Sequence, residues 1–415
     1  MEHIDSQAVP PTSSTFTPIQ PLLDTVSTKR PVTQQTQNFL AQNPPVRDLP
    51  IEAVVCFSHL RWDFVYQRPQ HLLSRASRQW PVWFVEEPVW GPTLRLDIRP
   101  VTDQIQVVTP HLPEGIDPET TVRLQRQLVD QLFEQKGLTD FMAWYYTPMA
   151  LQFTDHLRPR LTLYDCMDEL SAFKGASPLL LQQEKNLLAR AQVVFTGGYS
   201  LYEAKQDRHE QVFAFPSCID YPHFAQARND LADPADQRQL VGPRIGYSGV
   251  IDERLDLNLL RELAGRLPDW QFIMLGPVVK IDPATLPQGP NLHYLGMKNY
   301  QELPAYFSNW DVAMLPFARN EATQYISPTK TPEYLAAGLP VVSTAIRDIL
   351  RTYGGWEQIM IADSALAMEN AVKQAVQLGK TADWTDLDIF LREQSWNSTW
   401  QQMQRILETQ LTFVH

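Results

Sequence analysis

Residues 244–275 read RIGYSGVIDERLDLNLLRELAGRLPDWQFIML. Arg244–Tyr247 and Gln271–Leu275 are short, mostly apolar segments, which is typical of buried strands. Between them, Leu257–Arg266 places its leucines as on one face of a helix. A strand, a helix and a second strand in this order form the βαβ unit of a parallel sheet. The stretch therefore predicts an α/β fold.

The same alternation extends over most of the chain on either side of this unit. Further strands are expected at Ala53–Ser58, Val82–Val85, Ile105–Val108, Ala143–Tyr146, Leu161–Tyr164, Val193–Thr196, Leu292–Leu295, Val312–Leu315 and Val341–Ser343. Further helices are expected at Gln70–Ser77, Thr121–Gln135, Leu179–Arg190, Gln301–Phe307, Thr331–Ala337, Ala365–Leu378 and Thr399–Thr412. A segment from Pro216 to Pro243, rich in Asp, Ala and Pro, divides the pattern into two α/β halves.

These patterns predict the domain organisation. Residues 1–49 are rich in Pro, Thr, Ser and Gln. We expect them to be disordered or extended, because they bury too little apolar surface to offset the entropy of ordering. Residues 50–220 are expected to form the first domain, 221–243 a linker and 244–390 the second domain. Residues 391–415 are expected to contain a final helix.

The composition excludes several classes of protein. The chain has 415 residues, 44% of them hydrophobic, and a formal net charge of −12. This acidity argues against a nucleic-acid-binding protein, which would carry a basic surface. No run of about 20 apolar residues predicts a transmembrane helix, and no leader resembles a signal peptide. The three cysteines form no Cys-x-x-Cys pair, so we expect no metal or redox site and a cytoplasmic protein.

Candidate binding residues follow the first predicted strand. Ligands of open parallel sheets bind at the carboxyl ends of the strands. The loop His59–Pro69 reads HLRWDFVYQRP and combines three aromatic residues with two arginines. One interpretation is a loop that folds back on its own core. The other is a binding rim, in which the aromatic rings act as platforms and Arg61 or Arg68 binds an anionic group.

A cluster of acids follows another predicted strand. Asp165–Glu169 reads DCMDE, with three carboxylates in five residues. Such crowding favours a perturbed pKa and hence a catalytic carboxylate. The alternative is an acidic first turn that stabilises the N-terminus of a helix.

Two stretches of the second half suggest a phosphate or nucleotide site. Gly246–Arg254 reads GYSGVIDER, in which the glycines permit close backbone approach and Arg254 could pair with a phosphate. Lys330 and Glu333 lie three residues apart at a predicted helix start, and so on one helix face. They could form a surface salt bridge. They could also clamp a nucleotide, with Lys330 toward phosphate and Glu333 accepting two hydrogen bonds from a ribose diol.

Separated segments of the chain resemble glycosyltransferases of the GT-B fold. The resemblance runs from about Val54 to the last helix, and it is to group 1 enzymes like those of family four, which are common in bacterial polysaccharide synthesis. It implies two Rossmann-like domains facing across a cleft, with the C-terminal helix crossing back to the first domain. The matching segments are RWDFVYQRPQHLLSR, YDCMDELSAFKG, FTGGYSLYEAK, FPSCIDYPHF, GYSGVIDERLDLNLL, LGMKNYQELPAYF and SPTKTPEYLAAGLPVVST.

The resemblance also implies roles for individual residues. Glu333 matches an acid that faces the ribose, Lys330 a phosphate-side lysine and Arg254 a diphosphate-binding arginine. The catalytic candidates are Asp168, Glu169, Arg254 and Lys330. The donor-binding candidates are Gly249, Arg254, Gly276, Gly296, Met297, Tyr300, Tyr325, Ser327, Thr329, Lys330 and Glu333. The acceptor-binding candidates, all in the first domain, are His59, Arg61, Trp62, Asp63, Arg68 and Gln70.

One position departs from the family pattern. Tyr325 stands where family-four enzymes place the first acid of their Glu-x7-Glu motif. The departure leaves the stereochemistry open. In an inverting reaction, Asp168, or Glu169 as second choice, would take the proton of the acceptor hydroxyl. A retaining reaction requires no enzyme base.

The resemblance implies a reaction and its partners. It predicts transfer of a sugar from a UDP- or GDP-sugar to a hydroxyl of a glycan, lipid-linked or small-molecule acceptor, with no metal and no other cofactor. We expect a monomer or homodimer, no nucleic-acid partner, and at most weak peripheral contact with the inner face of the membrane. The alternatives are a sugar-nucleotide epimerase of the same fold and an inactive nucleotide-sugar-binding subunit. Tyr325 is the best support for the inactive subunit.

Overall fold

Two sheets, each covered by helices, organise the chain in the computed structural model, which describes residues 34–42, 51–379 and 381–413. The helices are α1 (Gln34–Gln42), α2 (Arg68–Ala76), α3 (Pro118–Lys136), α4 (Leu151–Thr154), α5 (Leu180–Arg190), α6 (Tyr199–Lys205), α7 (Tyr221–Phe224), α8 (Leu257–Arg266), α9 (Leu303–Phe307), α10 (Lys330–Ala336), α11 (Arg347–Tyr353), α12 (Ala365–Gly379), α13 (Thr385–Glu393) and α14 (Trp396–Phe413).

The first sheet is parallel except at one edge. Its strands are β1 (Ala53–Phe57), β2 (Val82–Val85), β3 (Val89–Gly91), β4 (Arg95–Thr102), β5 (Ile105–Pro113), β6 (Phe141–Tyr145), β7 (Leu161–Cys166), β8 (Val193–Thr196) and β9 (Val212–Ala214). Their order is β3-β5-β2-β1-β6-β7-β8-β9, and β4 pairs antiparallel with β5. Alternate residues of β1 pack on opposite faces. Val54 and Cys56 join the core beneath α2 and α14, and Val55 and Phe57 join the core beneath α3 and α5.

The second sheet is parallel throughout its described strands. These are β10 (Arg244–Ser248), β11 (Gln271–Leu275), β12 (Leu292–Gly296), β13 (Val312–Leu315), β14 (Val341–Ser343) and β15 (Ile359–Ile361), in the order β12-β11-β10-β13-β14-β15. The helix Leu257–Arg266 and the strand Gln271–Leu275 have the predicted bounds. The prediction of two Rossmann-like domains is confirmed.

The last helix crosses back to the first domain, as the resemblance implied. Trp396 and Trp400 of α14 are buried in the first-domain core. The Trp400 ring stacks on Trp144 of β6, with centroids 6.2 Å apart. The Trp396 ring stacks on His71 of α2, with centroids 4.5 Å apart. This helix therefore ties the end of the chain to its beginning.

Several elements do not show in the sequence patterns. They are α1, α4, α6, α7, α11, α13, β3, β4, β9 and β15. Most span seven residues or fewer, too short for a periodic signal. The longer β4 is an edge strand with mostly exposed side chains, and it contains charges and Pro100, as protected edges do.

The structure describes part of the N-terminal segment, residues 1–49, that was expected to be disordered or extended. Residues 1–33 and 43–50 lie outside the described residues. Residues 34–42, expected to be disordered or extended, form α1, so the prediction is wrong for this piece. The Phe39 ring meets the Phe213 ring edge-on, with centroids 5.3 Å apart, and the Leu40 carbonyl accepts a hydrogen bond from Arg405. These contacts provide the apolar burial that composition alone did not indicate.

No helix within the described parts of the chain is long and apolar enough to cross a bilayer. The expected cytoplasmic location and the expected monomeric or dimeric state stay predictions.

Candidate active site

A cavity of about 290 Å³ lies at the carboxyl ends of the second-domain strands. The loops after β10, β11 and β12 form most of its wall, together with Lys330 at the start of α10. Residues 62–66, in the loop after β1 of the first domain, form the opposite wall. The cavity is therefore bounded by both domains.

Close backbone packing shapes the second-domain wall. Gly276 has a φ of +138°, and a Cβ atom there would lie 1.8 Å from the carbonyl oxygen of Gly249. The Gly276 N–H donates to the carbonyl of Gly296 at 2.9 Å. Only glycine fits such a conformation and such an approach. These three glycines, all predicted donor-binding residues, therefore bring three loops together beside the cavity.

Lys330 and Glu333 form an ion pair at the cavity. The Lys330 Nζ lies 2.8 Å from Glu333 Oε2, and the two side chains are 17% and 11% exposed. This burial differs from the surface salt bridge that the sequence also allowed. Burial raises the pKa of Glu333, and Lys330 and His223 oppose that rise. Among the described residues, Lys330 is the hydrogen-bond partner of the Glu333 side chain, so the carboxylate retains capacity to accept further bonds.

Aromatic rings line the cavity beside this pair. The Tyr300 ring stacks on His223 with centroids 4.3 Å apart and an interplanar angle of 11°. The Tyr66 ring, from the first domain, lies 4.9 Å from Tyr300 at 38°. Met297 also lines the cavity and is 52% exposed. This part of the cavity presents apolar surface to a ligand.

A second group of charges lies where the two domains meet. Arg254 and Lys280 of the second domain lie over the ring of Phe173 of the first, at 5.6 and 4.7 Å from its centroid. The Lys174 N–H donates to the Glu253 carboxylate at 2.9 Å. These contacts hold the loop after β7 against the loops after β10 and β11.

Asp168 belongs to this second group. Burial raises the pKa of Asp168, the Arg254 and Lys280 cations oppose the rise, and Asp252 adds to it. Arg254 itself pairs with Asp252, with Nη2 and Oδ2 2.8 Å apart. Asp168 is thus a carboxylate held among cations near the cleft.

Lys280 was missed by sequence reasoning. It is not glycine, yet its φ is +62°, a conformation that suits few side chains. Its charge reaches His59, whose pKa is lowered to about 4 by burial and by Lys280. No motif surrounds Lys280 in the sequence, so only the fold could reveal it.

Comparisons with known proteins agree with this arrangement. Residues 242–377 match the family model described as glycosyl transferases group 1. A protein of Bacillus subtilis (strain 168) named as a teichuronic acid biosynthesis glycosyltransferase, TuaH, is 27% identical over 198 residues, which are 44% of this chain and 50% of the relative. The chain thus spans half the length of that relative.

Solved structures share the fold over most of the chain. Sucrose-phosphate synthase from Thermosynechococcus elongatus superposes with a TM-score of 0.66 at 15% identity, covering 86% of this chain and 98% of that one. HepE of Anabaena, in complex with UDP and glucose, gives 0.63 at 13% identity, with 86% and 99% covered. The chain has the GT-B fold. The part of the chain that matches the glycosyl transferases group 1 model lies in the second domain.

Three acceptor candidates of this GT-B protein have internal roles. Arg68 is buried and pairs with Asp165, with Nη2 and Oδ1 2.8 Å apart. Gln70 is buried and donates to the carbonyl of Trp62 at 2.7 Å. The Trp62 ring packs edge-on against Phe84, although Trp62 also borders the cavity. The predictions for Arg68 and Gln70 are wrong, because neither side chain can reach an acceptor. This part of the loop folds back on its own core.

Two other acceptor candidates are paired at the surface of the first domain. Arg61 pairs with Glu86 at 3.1 Å and donates to the Pro88 carbonyl at 3.0 Å. Asp63 pairs with Arg99 and borders the cavity. Both remain partly exposed, so their acceptor role stays a prediction.

Glu169 is not available as a base. It pairs with the buried Lys205, with Oε2 and Nζ 2.6 Å apart, and accepts a hydrogen bond from Ser171 at 2.7 Å. Lys205 also pairs with Glu184 at 2.6 Å. The structure therefore corrects this candidate: Glu169 balances a buried lysine, and Asp168 is the remaining acid.

Two donor candidates contact the first domain instead of lining the cavity. Tyr325 packs against the core beneath α3 and α5. Ser327 bonds to Asp348 and lies against Gly198. Asp348 accepts from the Tyr199 and Ser200 amides at 2.9 and 3.1 Å. Both residues remain partly exposed, so their donor role stays a prediction, and Thr329 directly precedes α10 beside Lys330.

Proposed function

We propose that this GT-B protein transfers a sugar from a nucleotide-diphosphate sugar to a hydroxyl of a glycan, lipid-linked or small-molecule acceptor, without a metal ion. The buried Lys330–Glu333 pair at a cavity bounded by both domains is the observation that carries the proposal. A cation and a carboxylate with spare acceptor capacity are what a phosphate and a ribose diol require.

The donor site follows from this pair. Glu333 accepts hydrogen bonds from the ribose hydroxyls. The diphosphate lies between Lys330 and Arg254, whose charges stabilise the negative charge that develops on the leaving group. The base lies toward Met297 and Tyr300, whose apolar surface lines the same cavity. The cations of this chain thus supply the charge that metal-dependent transferases take from a bound ion.

The acceptor site is proposed at Asp168. The charges of Arg254 and Lys280 act on this carboxylate, where the two domains meet, and Lys280 also acts on His59. It accepts a hydrogen bond from the acceptor hydroxyl. In inverting transfer it takes the hydroxyl proton as the acceptor oxygen bonds to the anomeric carbon, and the bond from that carbon to the diphosphate breaks. In retaining transfer the departing phosphate takes the proton.

Known relatives suggest which donors to test first. HepE binds UDP and glucose in its solved complex, and TuaH is named for teichuronic acid biosynthesis. We accordingly propose a UDP-sugar, with a GDP-sugar as second choice, and a role in bacterial polysaccharide synthesis.

An inactive nucleotide-sugar-binding subunit is the second candidate. The observation that favours it is Tyr325, which replaces a motif acid and packs against the first-domain core. Such a subunit would bind nucleotide sugars and transfer none of them.

Ligand-induced thermal stabilisation tests the proposal. UDP, GDP, ADP and their sugars are added to the wild-type chain and to Lys330→Met and Glu333→Gln. We expect a nucleotide of the panel to raise the Tm of the wild type, because bound ligand stabilises by mass action, and to raise that of the variants less. Equal stabilisation of all three proteins would contradict the clamp. Binding followed by product formation with a glycan acceptor supports the transferase, and binding without transfer to any acceptor supports the inactive subunit.

A further inference from the structure

The cavity wall contributed by the first domain carries an exposed aromatic ring. Tyr66 is 42% exposed and borders the cavity together with Met297 and Tyr300 of the second domain. The family resemblance places donor contacts in the second domain and gives no role to Tyr66. The large apolar surface of this ring is therefore unexplained by the residues already discussed.

Tyr66 is anchored in its own domain and reaches across to the other. Its ring meets His71 of α2 edge-on, with centroids 4.7 Å apart and planes at 88°. His71 in turn stacks on Trp396 of α14, at 10°. On the cavity side, the Tyr66 ring lies 4.9 Å from that of Tyr300. This series of rings fixes Tyr66 relative to the first-domain core.

The order of groups along the cavity decides what lies at Tyr66. Lys330 and Glu333 mark the phosphate and ribose positions of the proposed donor. Tyr300 stacks on His223, whose charge reaches Glu333, so the aromatic part of the cavity adjoins the ribose position. The group bonded to the ribose on the side away from the phosphates is the base. Flat, partly exposed rings at that place suit the flat face of a base.

We propose that Tyr66 forms the first-domain wall of the base subsite, so that the nucleotide is held by aromatic residues of both domains. This inference rests on the proposed function. Because the wall belongs to the first domain, full affinity for the nucleotide requires the two domains to be closed on each other. Donor binding and closure of the cleft are thereby coupled through one side chain.

Substitutions of Tyr66 test the inference, with UDP and GDP as probes and calorimetric Kd as readout. Tyr66→Ala is expected to raise the Kd of the tighter-binding nucleotide about tenfold or more, since the loss of stacking on a base reduces affinity by that factor. Tyr66→Phe keeps the ring and should stay within about twofold of wild type. Tyr66→Leu keeps apolar bulk without a flat ring and should resemble Tyr66→Ala. If Tyr66→Ala does not fold, the nucleotide Kd values of Tyr66→Phe and Tyr66→Leu are compared instead, and a weaker Tyr66→Leu supports the role of the ring.

Trp90→Ala is the matched control. Trp90 is a first-domain aromatic residue, 48% exposed, outside the residues that border the cavity. Its removal should leave the nucleotide Kd unchanged.

In transfer assays Tyr66→Ala should raise the donor KM while kcat stays within about twofold, because the lost interaction is made equally in the ground state and the transition state.

The outcomes separate the two claims. Wild type that binds UDP or GDP, with Tyr66→Ala and Tyr66→Leu binding equally well, overturns the role of Tyr66 and leaves the transferase standing. Wild type that binds neither nucleotide nor any of their sugars overturns both claims. Weaker binding in Trp90→Ala as well as in Tyr66→Ala would also overturn the inference, because the loss would not be specific to the cavity.

Discussion

Two ion pairs of this protein, Arg68–Asp165 and Lys330–Glu333, consist of similar groups but differ in their surroundings. Arg68 and Asp165 lie in the first-domain core, with side chains 1% and 0% exposed. Arg68 Nε donates to both Asp165 oxygens, at 3.0 and 3.1 Å, and its Nη1 donates to the Phe215 carbonyl at 2.6 Å. Lys330 borders the cavity, and it shares a single described hydrogen bond of 2.8 Å with Glu333.

The difference lies in how many internal partners each pair has. A buried charge whose bonding capacity is met inside the protein cannot exchange partners without a large cost. A pair with unused donors and acceptors at a cavity can bind a ligand and lose little. Arg68 and Lys330 were both candidate ligand-binding cations, and only the burial of Arg68 against Asp165 and the Phe215 carbonyl shows that its role is structural.

The largest expected effect is on stability. Arg68→Met should lower the free energy of unfolding by about 3–5 kcal/mol, because it leaves the Asp165 carboxylate buried and unpaired. Urea denaturation of both proteins, fitted with a separate transition for each domain where two are resolved, measures the change. A loss below about 1 kcal/mol would contradict the view that this pair supports the fold.

Lys330→Met should instead act on the reaction. Loss of one cation at the leaving diphosphate should reduce kcat/KM for the donor by about 10²–10³-fold. Its effect on stability should be smaller than that of Arg68→Met, because Glu333, whose pKa is already raised, can take up a proton. A steady-state assay and urea denaturation of the same preparation test both statements. A variant that is destabilised but fully active would reverse the comparison.

Glu333→Gln should affect binding more modestly. The amide replaces one acceptor oxygen by a donor, so affinity for the bound nucleotide should fall about tenfold, or about 1.4 kcal/mol. Calorimetric titration with UDP or GDP measures it. Glu262→Gln, a change at an exposed carboxylate of α8, is the control and should bind like wild type.

Lys280→Met should move the pH dependence of activity. The Lys280 charge opposes the rise in the Asp168 pKa, so its removal should raise that pKa further. Asp168 would then lose its negative charge at a higher pH as the solution is acidified, and the acid limb of the kcat/KM profile should move upward in pH. Lys185→Met, on the exposed face of α5, should leave the profile in place. An unmoved limb in Lys280→Met would exclude Asp168 as the titrating group.

The smallest effect is expected at a surface pair. Arg160 and Asp140 lie 2.6 Å apart, with side chains 45% and 40% exposed. Arg160→Met should change the free energy of unfolding by only about 0.2–1 kcal/mol, because water solvates the freed carboxylate. Urea denaturation of Arg160→Met and Arg68→Met under the same conditions compares the loss of an exposed pair with the loss of a buried one. A loss as large as that of Arg68→Met would show that burial is not what separates them.

Much of the fold could be predicted because its signals are local. The strands β11 and β13 are mostly apolar runs, and the α8 leucines repeat at helical spacing. The edge strand β4 could not be predicted, since its side chains are mostly exposed and only pairing with β5 makes it a strand. Local patterns report burial, and an edge strand has little of it.

The candidate site residues also divide into those whose contacts are local in the sequence and those whose contacts are distant. Lys330 and Glu333 are three residues apart on one helix, so their pairing follows from the sequence. Glu169 lies in the same acid cluster as Asp168, and no local signal separates them. The contact with Lys205, 36 residues along the chain, removed Glu169 from the site.

The amino-acid sequence alone determined the α/β class, the division into two domains and the local Lys330–Glu333 arrangement. Tertiary structure decided that Arg68 and Glu169 are paired with distant partners, that Lys280 approaches Asp168, and that Tyr66 meets Tyr300 across the cleft. The physical reason is that helix and strand periodicity depends on neighbouring residues, whereas the availability of a charge or ring depends on what the whole fold packs against it.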